Sequence, residues 1–179
     1  GDTSLRACWT STVNPTIEHK RRAAAFRALA NEHRAAAQAL RQAESAACVD
    51  VATIDRNHSP FEHTDDILGA SDLVSDEGVL QGASITLRAV PGLTKRYLEQ
   101  IVECQLARDA ATGFAEPERA FCPLNVDGAS ASVQSVPGGL RVDVLAHDPN
   151  AAAEISRRAK VLSEMARPSV RPPEEGGGI

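Results

Sequence analysis

Cys48, His58, His63, Asp65 and Asp66 form the densest group of potential ion ligands in the chain. A thiolate and two imidazoles suit zinc or copper, which take sulfur and nitrogen donors. His58 and His63 lie five residues apart across an expected helix start, so their rings converge only if the turn bends them together. The same residues also read without a metal. His58 then precedes a helix cap, His63 lies in the first turn, and the two aspartates complement the positive end of the helix dipole. His33 stands apart, in the middle of an apolar seam on a long helix. Its plain reading is a buried, hydrogen-bonded histidine at a helix crossing, and its sharper one is a haem or metal ligand. Cys48 lies roughly 22 Å further along that helix, so these two residues do not share an ion.

Other chemistries leave no trace in the residue order. There is no G-x-S-x-G elbow, and neither G-x-x-x-x-G-K-[ST] nor G-x-G-x-x-G occurs to cradle a phosphate. The cysteines show no C-x-x-C spacing for a metal or haem. Carboxylates are plentiful, but no pattern singles out an acid/base pair. The net charge of −5 and the lack of an aromatic-interleaved basic face argue against nucleic acid as a partner. No apolar run approaches the roughly 20 residues that span a bilayer.

At 179 residues, 42% of them hydrophobic and 24% charged, the chain fits one globular domain, or one domain plus a helical extension. Aromatic residues are only 3%, so helices must approach closely over alanine. Residues 1–13 alternate, with Leu5, Ala7 and Trp9 on one side, and read as an extended arm or edge strand. Asn14-Pro15 opens a helix that continues to about Cys48, cap and first-turn proline in their expected places. Phe26, Leu29, His33, Ala36, Leu40, Ala43 and Ala47 step along it by alternating three and four, a heptad-like seam with three large members. Its length, roughly 50 Å at the α-helical rise, exceeds what a small sandwich covers, so part of it should meet another helix or subunit. Residues 14–82 then make a helical region and connector. Within it Ser59-Pro60-Phe61-Glu62 reads as a capping box for a short helix from Pro60 to Leu68, closed by Gly69, with Ser71–Glu77 as loop.

From Ala83 the period changes to two. Ile85, Leu87 and Ala89 form a strand, and a helix follows from Lys95 to Thr112, capped by Thr94 and stopped by Gly113. Ser130–Val136 and Leu140–Ala146 are strands joined by Pro137-Gly138-Gly139. Asp148-Pro149-Asn150 starts a last helix with Ile155, Ala159 and Leu162 on its inner face. The order β-α-β-β-α over residues 83–166 is most of a ferredoxin-like unit, with residues 5–12 available for the missing strand. The expected class is α+β. Residues 167–179 form a Pro/Gly-rich tail that cannot build a core.

Four cysteines allow three pairings. Cys104, beside the apolar stripe of its helix, reads either as a small core residue or as a disulfide partner of Cys122. In the second case Cys8 and Cys48 are left to join the arm to the end of the long helix. The contrary reading is four reduced, buried thiols in a cytosolic protein. Cys104-Gln105-Leu106-Ala107 on a helix, followed by Cys122-Pro123-Leu124, resembles a group of uncharacterised bacterial secreted proteins with a Cys-His-Leu-Ala helix and a Cys-Pro-Leu loop. The resemblance covers the C-terminal half and implies export and a disulfide. Gln105 departs from the group's histidine and removes a metal ligand there. The reading that follows is a bacterial, non-enzymatic accessory or structural subunit, periplasmic or extracellular, acting through protein–protein association and carrying no cofactor. Its alternative is a periplasmic zinc- or copper-binding protein using His58, His63 and Cys48.

Overall fold

The computed structural model describes residues 15–115 and 121–166; the arm expected at residues 1–13, with Cys8 and Trp9, and the tail at 167–179 lie outside these. The chain divides into two compact units, residues 1–39 and 40–179. Helix α1 spans Pro15–Ala47, close to the limits its cap and seam predict. Every side chain from Thr16 to Ala36 is exposed. His33 is therefore not at a buried helix crossing, because the seam to which it belongs is itself uncovered.

In the second unit, strands β1 (Ile67–Val74) and β2 (Leu80–Arg88) precede helix α2 (Lys95–Thr112). Strands β3 (Ser130–Val136) and β4 (Gly139–Leu145) and helix α3 (Pro149–Met165) follow. The sheet is antiparallel throughout with order β1-β2-β4-β3, giving an α+β architecture. Its fourth strand comes from residues 67–74, ahead of β2. Of the short helix expected from Pro60 to Leu68 only a single 3-10 turn, Thr64–Asp66, forms. Ser59 Oγ instead accepts the Phe61 N–H, two residues on, and the Glu62 carboxylate meets His58, so neither half of the capping box closes a helix. Ile67 then enters the sheet opposite Leu87, and Gly69 sits at an irregularity of the β1–β2 register rather than closing a turn.

Both ends of α2 and the start of α3 follow local chemistry. Thr94 accepts from the Tyr97 N–H, Gly113 takes the left-handed conformation, and Asp148 accepts from Asn150 and Ala151 ahead of Pro149. Alternation places Ala83, Ile85 and Leu87 of β2 and Leu140, Val142 and Val144 of β4 on one face of the sheet. Leu98 and Val102 of α2 and Ile155, Ala159 and Leu162 of α3 cover that face in a single core. Gly139 keeps the β2–β4 pairing close, since a Cβ there would stand 1.9 Å from the Leu87 carbonyl oxygen.

The loop Cys122–Val126 is buried, which is unusual for a connection because its carbonyls lose water. Arg158 of α3 meets that need, donating to the Cys122 and Asn125 carbonyls at 3.1 and 2.7 Å. Glu154 holds the guanidinium from behind at 2.6 Å and also binds Arg157. Replacing Arg158 by methionine leaves buried acceptors without this donor, and urea titration should find a loss of about 1 to 3 kcal/mol. Hydrogen bonds from Arg157, then from Arg158, pull the Glu154 carboxyl down to about 2. Its folded value lies below the usual 4.5, so its contribution is fully present above that pH and is lost as the pH falls towards 2. Glu154→Gln should therefore flatten the acid limb of the stability profile between those two values.

Candidate functional site

The connector between α1 and the sheet is tied to α2 along its length. Cys48 forms a disulfide with Cys104, Cα to Cα 4.6 Å, and Val51 and Ile101 pack around it. Two turns earlier on α2, the Tyr97 hydroxyl donates to Asp55 and accepts the Ala52 N–H at 3.4 Å. The hydrogen bond to the Asp55 carboxylate raises the Tyr97 phenol above its ordinary value. Further along α2, Arg108 donates to the Arg56 carbonyl at 2.7 Å and to Asn57 Oδ1 at 2.6 Å.

This disulfide corrects the pairing expected from the sequence. Cys104 joins Cys48 rather than Cys122, and Cys122 is a free, buried thiol. The reason lies in how α2 is turned. Leu98, Val102, Gln105 and Asp109 occupy its fully buried stripe, whereas Cys104 lies beside Ile101 on the flank that receives the connector. Cys122 belongs to the core and lies 3.4 Å from Ser59 Oγ. Burial raises the Cys122 thiol, keeping the proton on sulfur. Cys8 lies outside the described residues, so the Cys8–Cys48 pairing fails on Cys48's side alone.

Two recesses flank the segment from Asn57 to Thr64. One, of about 380 Å³, is lined by Ile54, His58, Glu62 and His63 over Leu87 and Leu98. The other, of about 520 Å³, is lined by Phe61, Arg108, Phe121, Cys122, Leu162 and Met165. His58, Ser59 and Glu62 line both, so they form the ridge between them. On that ridge His58 Nδ1 and Glu62 Oε2 stand 2.6 Å apart, each about half exposed. Of the expected ion ligands, the structure thus brings His58, His63 and Asp66 to one recess. Cys48 is removed from the set, because a disulfide sulfur has no thiolate to donate. Among the described residues no three His, Cys, Asp or Glu side chains gather in a geometry that could hold a metal ion. Asp66 forms a 3.3 Å ion pair with Arg88, and the Asp65 carbonyl accepts from the same arginine.

Against this geometry the chain was compared with known proteins. No family model, curated protein or solved structure matches it. The His58–Glu62 pair presents an imidazole and a carboxylate to a bound group, but the neighbouring Ser59 hydroxyl faces Phe61 N–H and Cys122 rather than His58. Recesses walled by both apolar and polar side chains suit the docking of an apolar group with a polar end.

The second candidate is the exposed seam of α1. Phe26, Leu29 and Leu40 share one face of that helix while 70%, 49% and 41% exposed, respectively. The seam is visible in the residue spacing, whereas the Asp55–Tyr97 and Arg158 contacts leave no local pattern. The spacing of Leu98, Val102, Gln105 and Asp109 did carry a signal that both polar residues are buried. Gln105 Nε2 donates to Asp109 at 3.2 Å within that stripe. Among the described residues no helix is long and apolar enough to cross a membrane.

Proposed function

We propose that the protein is a non-enzymatic accessory or structural subunit, exported from a bacterial cell, that acts by docking the face of α1 on another protein chain. The exposure of Phe26, Leu29 and Leu40 along one stripe carries this reading. Helices gain most of their stability by burying an apolar face, and this stripe is uncovered over most of its length. The Cys48–Cys104 disulfide supports an oxidising destination, since such bonds persist mainly outside the cytosol. The resemblance of Cys104-Gln105-Leu106-Ala107 and Cys122-Pro123-Leu124 to secreted proteins motivates the same destination, although Cys122 takes no part in the disulfide. For the second unit we favour a ferredoxin-like arrangement, because β4 lies between β2 and β3 as a split β-α-β unit requires. In this arrangement β1 takes the outer place that a strand after α3 would otherwise fill.

Sedimentation of the chain in an extract of its native source tests the association. The wild-type chain should travel in an assembly heavier than its own 18.9 kDa. The Phe26→Asp/Leu29→Asp variant should return to the monomer position with its disulfide intact. A wild-type chain that sediments as a monomer in the extract overturns the reading.

A further inference from the structure

The charges flanking the α1 seam are arranged asymmetrically, and that asymmetry specifies the occupant. With Phe26, His33 and Leu40 at a positions and Leu29, Ala36 and Ala43 at d, the e positions carry Ala23, Ala30, Ala37 and Glu44. Beyond them Lys20, Arg27, Arg34 and Arg41 recur every seven residues at b. The other flank carries Glu18 and Glu32 at g, with Arg21 beside them at c. Alanines at e leave the b-position stems free to extend over the seam edge. Arg22, at the first d position, is held by Glu18 at 2.5 Å, so the apolar run starts at Phe26.

From this arrangement we propose that the partner on α1 is a second copy of this chain, its α1 parallel and in register. The proposal rests on the reading that the seam is a docking face. A parallel two-fold pair sets the g flank of each helix, with Glu18 and Glu32, against the basic flank of the other. An antiparallel pair sets the basic flank against itself, with Arg27, Arg34 and Arg41 facing their counterparts across a repulsive edge. The parallel pair also stacks each His33 beside its counterpart. A polar residue at one a position is a common device for fixing register at some cost in strength. With three large apolar residues per helix, the dimer is weak and reversible.

Sedimentation equilibrium of the purified full chain should give a reversible monomer–dimer system that weakens with added salt. In a Cys8→Ser background, Leu29→Cys and Ala36→Cys, both at exposed positions, should each cross-link to themselves on oxidation. An antiparallel pair can self-cross-link at only one point along its length, so success at one position and failure at the other overturns the parallel arrangement. Glu32→Arg should weaken self-association by about three- to tenfold, since each dimer loses the contact twice. A purified chain that stays monomeric overturns the second-copy proposal. If that chain still travels in a larger assembly in its native extract, docking through α1 stands with a different occupant. If it is monomeric there too, both readings fall.

Discussion

Reduction of the Cys48–Cys104 disulfide should lower the stability of the second unit by about 4 kcal/mol, as the chain-entropy relation gives for a closed loop of this size. The two cysteines are 56 residues apart, and the loop between them contains β1, β2 and the connector. In the unfolded chain that loop is long, so the cross-link removes much of its freedom; in the folded chain Tyr97 and Arg108 hold the same segment to α2 in any case. The fold should therefore survive reduction in weakened form rather than collapse. Urea titration of the Cys48→Ala/Cys104→Ala variant against the oxidised parent measures the difference. Alkylation of the oxidised, denatured chain should leave Cys48 and Cys104 unmodified and label Cys122. Labelling at Cys48 and Cys104, or an unchanged urea midpoint in the double variant, would refute the assignment.

The parts of the fold that were legible in the sequence are those where local chemistry agrees with the final packing. Thr94 and Gly113 bracket α2, and Asp148-Pro149 opens α3, because caps and breakers act over a few residues. Ser130–Val136 and its hairpin to β4 follow from alternation around Pro137-Gly138. Strand β1 was hidden for a physical reason: of its eight residues only Ile67 is buried, and the register irregularity beside Gly69 interrupts the alternation. Edge strands need less apolar surface than central ones, and polar residues there protect an open edge. Ser59-Pro60-Phe61-Glu62 misled because one side-chain oxygen serves a capping box or a tight turn equally well. Which was chosen depended on Ile67 pairing with Leu87, a contact across the chain. The cysteine pairing was decided by which flank of α2 the connector meets, and spacing along the chain carries no record of that.

Truncating Phe61 to alanine should have the largest effect of any single side chain in the connector. Phe61 is 2% exposed and sits in the main core although it belongs to an irregular segment. Only 3% of the chain is aromatic, and a core built largely from Val, Leu, Ile and Ala has few large side chains that could move into the space. Removing the ring should therefore cost about 3 to 5 kcal/mol in lost transfer energy and residual cavity. That is a large share of the roughly 5 to 15 kcal/mol that holds a typical domain folded. The same ring lines the recess beside Cys122, so its loss opens that recess towards the thiol. Phe61→Ala should then show two linked changes: a lower urea midpoint with an unchanged slope, and faster alkylation of Cys122 under native conditions. Phe61→Leu, which keeps most of the volume, should recover most of the stability and slow the alkylation again. A Phe61→Ala variant as stable as the parent, with Cys122 still protected, would mean that the connector does not close the core and that the recess beside it is not defined by Phe61.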